Sequence, residues 1–253
     1  IEFLKAVKDS GIGLVSLAHN HVLDYGTQGL ETTISKIKEQ NIEITGIKEN
    51  SERTNEQDEN TLDEEKQENP DFTGNIKEIN GIKVAFLGYT YGLSNENEVN
   101  EEEKKKANIY SEELAKKDIE YAKQSSNYII AIMHWGDVNS SEISEYQRNI
   151  TSFLVENGVD MILGAHPSVV EPMEMIKTEE GKNVLVAYSL GNYMSTLKYD
   201  DANVELILNI QISKSSDSDK AVLQKVDYKP IYVLDNGTKA ENRFELTDMK
   251  KLA

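Results

Sequence analysis

Four stretches of this sequence share one plan, an apolar, largely β-branched run of strand length that stops at Gly, His or Asn. They are GLVSLAHNH at 13–21, YIIAIMHWGD at 128–137, VDMILGAHPS at 159–168 and NVLVAYSLGNY at 183–193. Amphipathic helical patterns lie beside them. TQGLETTISKIKEQN follows the first, YSEELAKKDIEYAKQS precedes the second, and EISEYQRNITSFLVENG separates the second from the third. Apolar strands alternating with such helices predict an α/β fold with strands buried on both faces. Two later stretches, VELILNIQISKS and AVLQKVDYKPIYVLDNG, alternate polar with apolar and have no helix between them. They read as antiparallel strands of a second sheet or a sheet edge. The opening IEFLKAVKDSG reads as an amphipathic helix without an initiator Met or a leader, as if a longer protein preceded it.

The same plan localises the chemistry. All four histidines, His19, His21, His134 and His166, fall at or just beyond the C-terminal end of a predicted strand. In open α/β sheets those ends line the crevice where ligands bind, so residues far apart in sequence can meet there. Neutral imidazole is the commonest transition-metal ligand, and an amide oxygen such as that of Asn20 can complete a site for Zn, Mn or Fe. A hydrolase with such a site holds a substrate oxygen and generates a hydroxide nucleophile.

Composition narrows the partners. A formal net charge of −18 argues against nucleic acid or an anionic surface held by simple electrostatics. There is no cysteine, which removes disulfides, thiolate metal sites and cysteine nucleophiles. No apolar run approaches the ~18 to 20 residues of a membrane-spanning helix. No phosphate-binding glycine loop or Gly-x-Ser-x-Gly elbow occurs. The 253 residues suit a single domain over 1–253. Its acidic insertion, at about 49–73, carries ten acidic residues against two basic ones between Glu49 and Asp71 and reads as a solvated linker. NENEVNEEEKKKAN reads the same way, with its lysines starting the next helix.

Taken in order, AHNHVLDYGTQGLETTISKI, HWGD followed by Gln147, GVDMILGAHPSVVEPMEMI and VAYSLGNYM resemble the motif series of the CapA family of capsule-synthesis proteins, over about Gly11 to Asn192. That family is associated with poly-γ-glutamate capsule production and has a calcineurin-like metallophosphoesterase fold. The resemblance implies a four-layer α/β/β/α sandwich, here lacking the N-terminal strand region that carries an acidic metal ligand. It implies a divalent transition metal (Mn, Fe or Zn), as one or two ions, held by Asn20, His134 and His166. His21 would donate a proton to the leaving group, with Asp24 orienting the loop or His21. An N-cap of the following helix is the alternative role for Asp24. Trp135 and Asn192 are the substrate-facing candidates, with core packing and a plain turn as their respective alternatives, and Gly191 would let the backbone approach a ligand. Asp137 would stand in for a family carboxylate.

Two positions depart from the pattern: His19, where members more usually carry Asn, and Ser168, where they carry a second His. A serine is a poor metal ligand, so one metal position should be weak. The resemblance further implies poly-γ-glutamate or a related capsule polymer as partner, together with membrane-bound capsule synthase components, and no nucleic acid. It places the protein on the extracellular face of the cell membrane, anchored through a preceding segment. The function expected is capsule synthesis of the CapA type, as a metal-dependent hydrolase of a phosphoester or amide, or as a non-catalytic, polymer-binding scaffold with a degenerate metal site.

Overall fold

The computed structural model describes residues 2–48, 71–193, 202–238 and 243–249. The acidic stretch at 49–70 thus lies outside the described residues. At the end of the expected insertion, Phe72 and Thr73 belong to the fold instead: Phe72 packs on the main core and Thr73 is buried.

The elements in chain order are α1 (Glu2–Asp9), β1 (Leu14–Ser16), α2 (Gly26–Lys38), β2 (Glu43–Thr45), β3 (Asn75–Ile79), β4 (Ile82–Thr90), α3 (Glu101–Lys104), α4 (Glu112–Ser125), β5 (Tyr128–His134), α5 (Glu145–Glu156), β6 (Met161–Ala165), β7 (Met173–Lys177), β8 (Asn183–Ala187), β9 (Val204–Lys214), β10 (Ala221–Asp235) and β11 (Phe244–Asp248). The expected strands and helices around the four motifs are all present. β9 and β10 pair antiparallel, as their alternation requires, and with β11 make a separate three-stranded sheet. The Lys104–Lys106 run does not start a helix. Asn100 and Glu103 form a capping box that starts α3 three residues earlier, so the lysines fall at its C-terminal end, where positive charge suits the helix dipole.

The main sheet has six strands in the order β3-β4-β5-β6-β8-β7. β4, β5, β6 and β8 are parallel, and antiparallel β3 and β7 close the edges. Alternation along β4 sorts the layers, because successive side chains point to opposite faces. Ala85, Leu87 and Tyr89 pack with Ala115 and Ile119 of α4 and Ile150 and Leu154 of α5. Val84 and Phe86 pack with Leu208 and Ile210 of β9 and Val226 of β10.

Gly88 lies on that second face and receives the small parallel sheet β1-β2. A Cβ at Gly88 would come 2.7 Å from Gly46 Cα and 2.9 Å from Ser16 Oγ, so only glycine admits this approach. The Thr45 hydroxyl donates to the Phe86 carbonyl across the same seam at 2.6 Å. On the outer face of β1-β2, Val15 and Ile44 pack with Leu30 and Ile37 of α2 and with Leu4 and Val7 of α1. The order of layers is therefore α4 and α5, the six-stranded sheet, the smaller sheets, then α1 and α2, which is the α/β/β/α arrangement. It brings the C-terminal ends of β1, β4, β5 and β6 to one rim.

Candidate functional site

The rim gathers the histidines. β5 ends on His134, and β6 leads one residue on to His166; the rings of the two are 4.6 Å apart. In the loop after β1, the His19 ring lies 6.1 Å from His134 and 6.5 Å from His21. Residues separated by more than a hundred positions thus meet because parallel neighbours end at the same edge.

Asn20 is buried and fully engaged. Its Nδ2 donates to Ser94 Oγ at 2.6 Å, which leaves Oδ1 to accept from His134 Nε2 at 2.9 Å. Asp24 Oδ2 accepts from His21 Nδ1 at 2.8 Å and fixes that ring's tautomer, since a carboxylate can only accept. The other nitrogen, Nε2, faces Ser94 Oγ at 3.4 Å. Asp24 does not cap α2: Tyr25 holds the N-cap position, with no side-chain cap. His21, Asp24, Tyr25, Ser94, Asn95 and Glu98 line an open cleft of about 400 Å³.

Three of the imidazoles, His19, His134 and His166, are held neutral. Burial, then the neighbouring His166, His19 and His21, push His134 down to about 3. Burial also lowers His166, opposed by Asp137, and lowers His19. Uncharged rings are the form that ligates a metal. The His134 Nε2 and Asn20 Oδ1 separation of 2.9 Å fits two donors at adjacent positions around one ion, where bonds of ~2.1 Å at right angles put donors about 3 Å apart. The donor chemistry therefore fits a divalent ion along this edge. Among the described residues, however, no three His, Asp or Glu side chains close into a group that could hold a metal.

Backbone strain concentrates here. His166 has φ +107° and Ser168 φ +65°, both uncommon for residues with a Cβ, and the Ser168 hydroxyl turns back to the His166 carbonyl at 3.3 Å.

Two expected substrate residues stand elsewhere. Trp135 is fully buried in the main core; its indole N–H donates to the Tyr188 carbonyl at 2.9 Å and its ring stacks on Tyr188, so it presents no surface to a ligand. The reason is parity: β5 turns His134 to the rim and the following side chain to the helix face. Asn192 follows Gly191 (φ +96°) after β8, and its N–H faces the Glu205 carboxylate. Among the described residues no hydrogen bond joins it to the histidines.

Two residues not foreseen complete the rim. Ser94 bridges Asn20 and His21. The Tyr91 ring lies 4.8 Å from His166 and nearly parallel to His134, while its N–H donates to the His134 carbonyl at 2.9 Å. Both follow β4, whose IKVAFLGYTYG is a fifth apolar run ending at Gly.

Comparison with known proteins agrees with the fold. The family described as "Bacterial capsule synthesis protein PGA_cap" matches residues 1–197. The PGA biosynthesis protein CapA of Bacillus subtilis (strain 168) is 26% identical over 193 residues, covering 76% of this chain and 45% of that protein. The capsule biosynthesis protein CapA of Bacillus anthracis is 28% identical over 198 residues, covering 76% of this chain and 42% of that protein. The chain thus spans less than half the length of either relative. A solved Staphylococcus aureus structure, described as a candidate 5′-nucleotidase in complex with α-ketoglutarate, superposes with a TM-score of 0.54 at 11% identity, over 96% of this chain and 42% of that one. That likeness shows a shared fold.

Proposed function

Because the chain belongs to the bacterial capsule synthesis family PGA_cap, we propose that it acts on a capsule polymer, poly-γ-glutamate or a related chain, as a metal-dependent hydrolase of a phosphoester or amide bond. The observation that carries this reading is the Asn20 and His134 donor edge, with His166 beside it and His21 on its open flank. Asn20, His134 and His166 would hold one divalent ion (Mn, Fe or Zn), and a bound ion supplies a Lewis acid and an activated water. The protein's own contribution is to place donors and a proton. Asp24 accepts from Nδ1 of His21, so that in the imidazolium form the second proton, on Nε2, is the one His21 would hand to a leaving group in the cleft beside Tyr25 and Glu98, returning to the Nδ1–H tautomer. Asn192, on the loop after β8, would bind the polymer further along. The partners that follow are membrane-bound capsule synthase components, and the place of action is the extracellular face of the membrane.

One observation favours a second reading, a polymer-binding scaffold without catalysis. Ser168 occupies the position where the family motif has a further His, and the described side chains do not close a metal cluster.

Calorimetric titration with Mn²⁺, joined to elemental analysis, separates the two. The hydrolase reading expects one ion per chain, weakened at least ~10-fold by Asn20→Ala, since even residues outside the ligand set cost that much. Ser168→His is expected to raise the stoichiometry, because an imidazole replaces a weak donor. Absence of binding by the unaltered protein in its full length would leave the scaffold as the function.

A further inference from the structure

Behind the histidines lies a pair of polar side chains that the proposed chemistry does not use. Gln147, in the first turn of α5, and Glu171, two residues before the start of β7, are both fully buried. Gln147 Nε2 donates to Glu171 Oε2 at 2.6 Å. Its Oε1 accepts from the Ser144 N–H at 2.8 Å and the Ser144 hydroxyl at 3.0 Å, which ties the amide to the cap of α5. The orientation of the amide is therefore set from both ends.

The His134 loop packs directly on this amide, and the loop that carries His166 is tied to it through Glu171. Gly136, two residues after His134, has φ +88°, and a Cβ there would come 2.8 Å from Gln147 Nε2 and 3.1 Å from Pro167 Cγ. Pro167 directly follows His166, whose own φ is +107°. The loops are joined to each other by the Asn139 N–H, which donates to the Pro167 carbonyl at 2.7 Å. Glu171 continues the second loop, its N–H donating to the Ser189 carbonyl at 3.2 Å. A sparsely populated backbone conformation persists only where its surroundings over-determine it, and here those surroundings include the hydrogen-bonded pair.

We propose that the buried Gln147–Glu171 pair is the positioning element that holds the His134 and His166 loops in register at the rim. The consequence for metal binding rests on the reading of the site given above; the consequence for loop geometry does not.

An exchange of the two side chains tests this. Gln147→Glu sets two carboxylates against each other and removes the donor. Glu171→Gln keeps a donor and an acceptor in place. The double variant, Gln147→Glu with Glu171→Gln, reverses the direction of the bond but still accepts from Ser144. The readouts are amide hydrogen exchange at Asn139, with Ile130–Met133 of β5 as internal control, and Mn²⁺ affinity. Gln147→Glu is expected to speed exchange at Asn139 by ~10-fold or more without changing β5, and to weaken Mn²⁺ by a similar factor; the double variant restores both. If Gln147→Glu does not fold, Gln147→Met, of similar length and without hydrogen bonds, carries the same comparison. Unchanged exchange at Asn139, or no restoration in the double variant, overturns the positioning role. Restored exchange in a protein that never binds Mn²⁺ supports the positioning role and sinks the metal reading instead.

Discussion

Gly164→Ala is expected to lower the melting temperature by about 10 °C, since a Cβ there would meet the closest contact of any glycine in the chain. Gly164 sits in β6 with β5 on one side and β8 on the other. A Cβ there would overlap the Tyr188 carbonyl oxygen and come 2.6 Å from Trp135 Nε1. Those two atoms are hydrogen-bonded to each other, so the methyl must displace backbone as well as an indole. Overpacking costs roughly 1–3 kcal/mol, and a buried donor and acceptor left without each other cost a similar amount. The displaced segments also lead into His134 and His166, so loss of stability and loss of Mn²⁺ binding should appear together. Gly92→Ala is the matched control: nothing lies within 4 Å of a Cβ there and its φ is not positive. A melting temperature for Gly164→Ala within ~2 °C of the unaltered protein would show that β6 and β8 can part without cost.

A second large effect is a fall in stability as pH rises through neutrality. Burial pushes both Glu171 and Glu205 up from 4.5 to about 7, opposed by the Gln147 amide at Glu171 and by the Asn192 N–H at Glu205. Among the described residues, Oε1 of Glu171 and both carboxylate oxygens of Glu205 lack a hydrogen-bond partner of good geometry. The folded state therefore holds protons that the unfolded chain has already released between pH 4.5 and 7. Stability is highest below that window, declines through it, and levels off above about 7. At about 1.4 kcal/mol per pH unit, the two groups together cost roughly 4 kcal/mol between pH 5.5 and 8. Replacing both by glutamine, which keeps the shape and cannot ionise, should leave the protein close to unchanged at pH 5.5. At pH 8 it should raise the melting temperature by about 10 °C. A gain of the same size at both pH values would mean that neither group titrates in the fold.

The motif strands were legible in the sequence because each is a continuous apolar run, long enough to be buried on both faces and closed by a residue that breaks the ladder. The helices were legible from their amphipathic patterning, whereas their caps, Ser111 for α4 and Ser144 for α5, came only with the structure. β4 escaped despite the same plan, since GIKVAFLGYTYG carries no histidine to draw notice to it. Ser94 and Tyr91 were lost with it. Trp135 was misplaced for a different reason: adjacency to His134 in sequence says nothing about adjacency in space when strand side chains alternate.

The sequence by itself determined the α/β class, the placement of the histidines at strand ends, and kinship with capsule synthesis proteins, because periodicity, strand termination and motif order are properties of the chain alone. The tertiary structure decided which strand ends share a rim, that glycines at 46 and 88 let the small sheet settle on the large one, and that Gln147 and Glu171 lie buried beneath both histidine loops. These depend on strand order and on the distance between layers. Neither is written in any local stretch of residues, since both arise only when separate faces exclude water against one another.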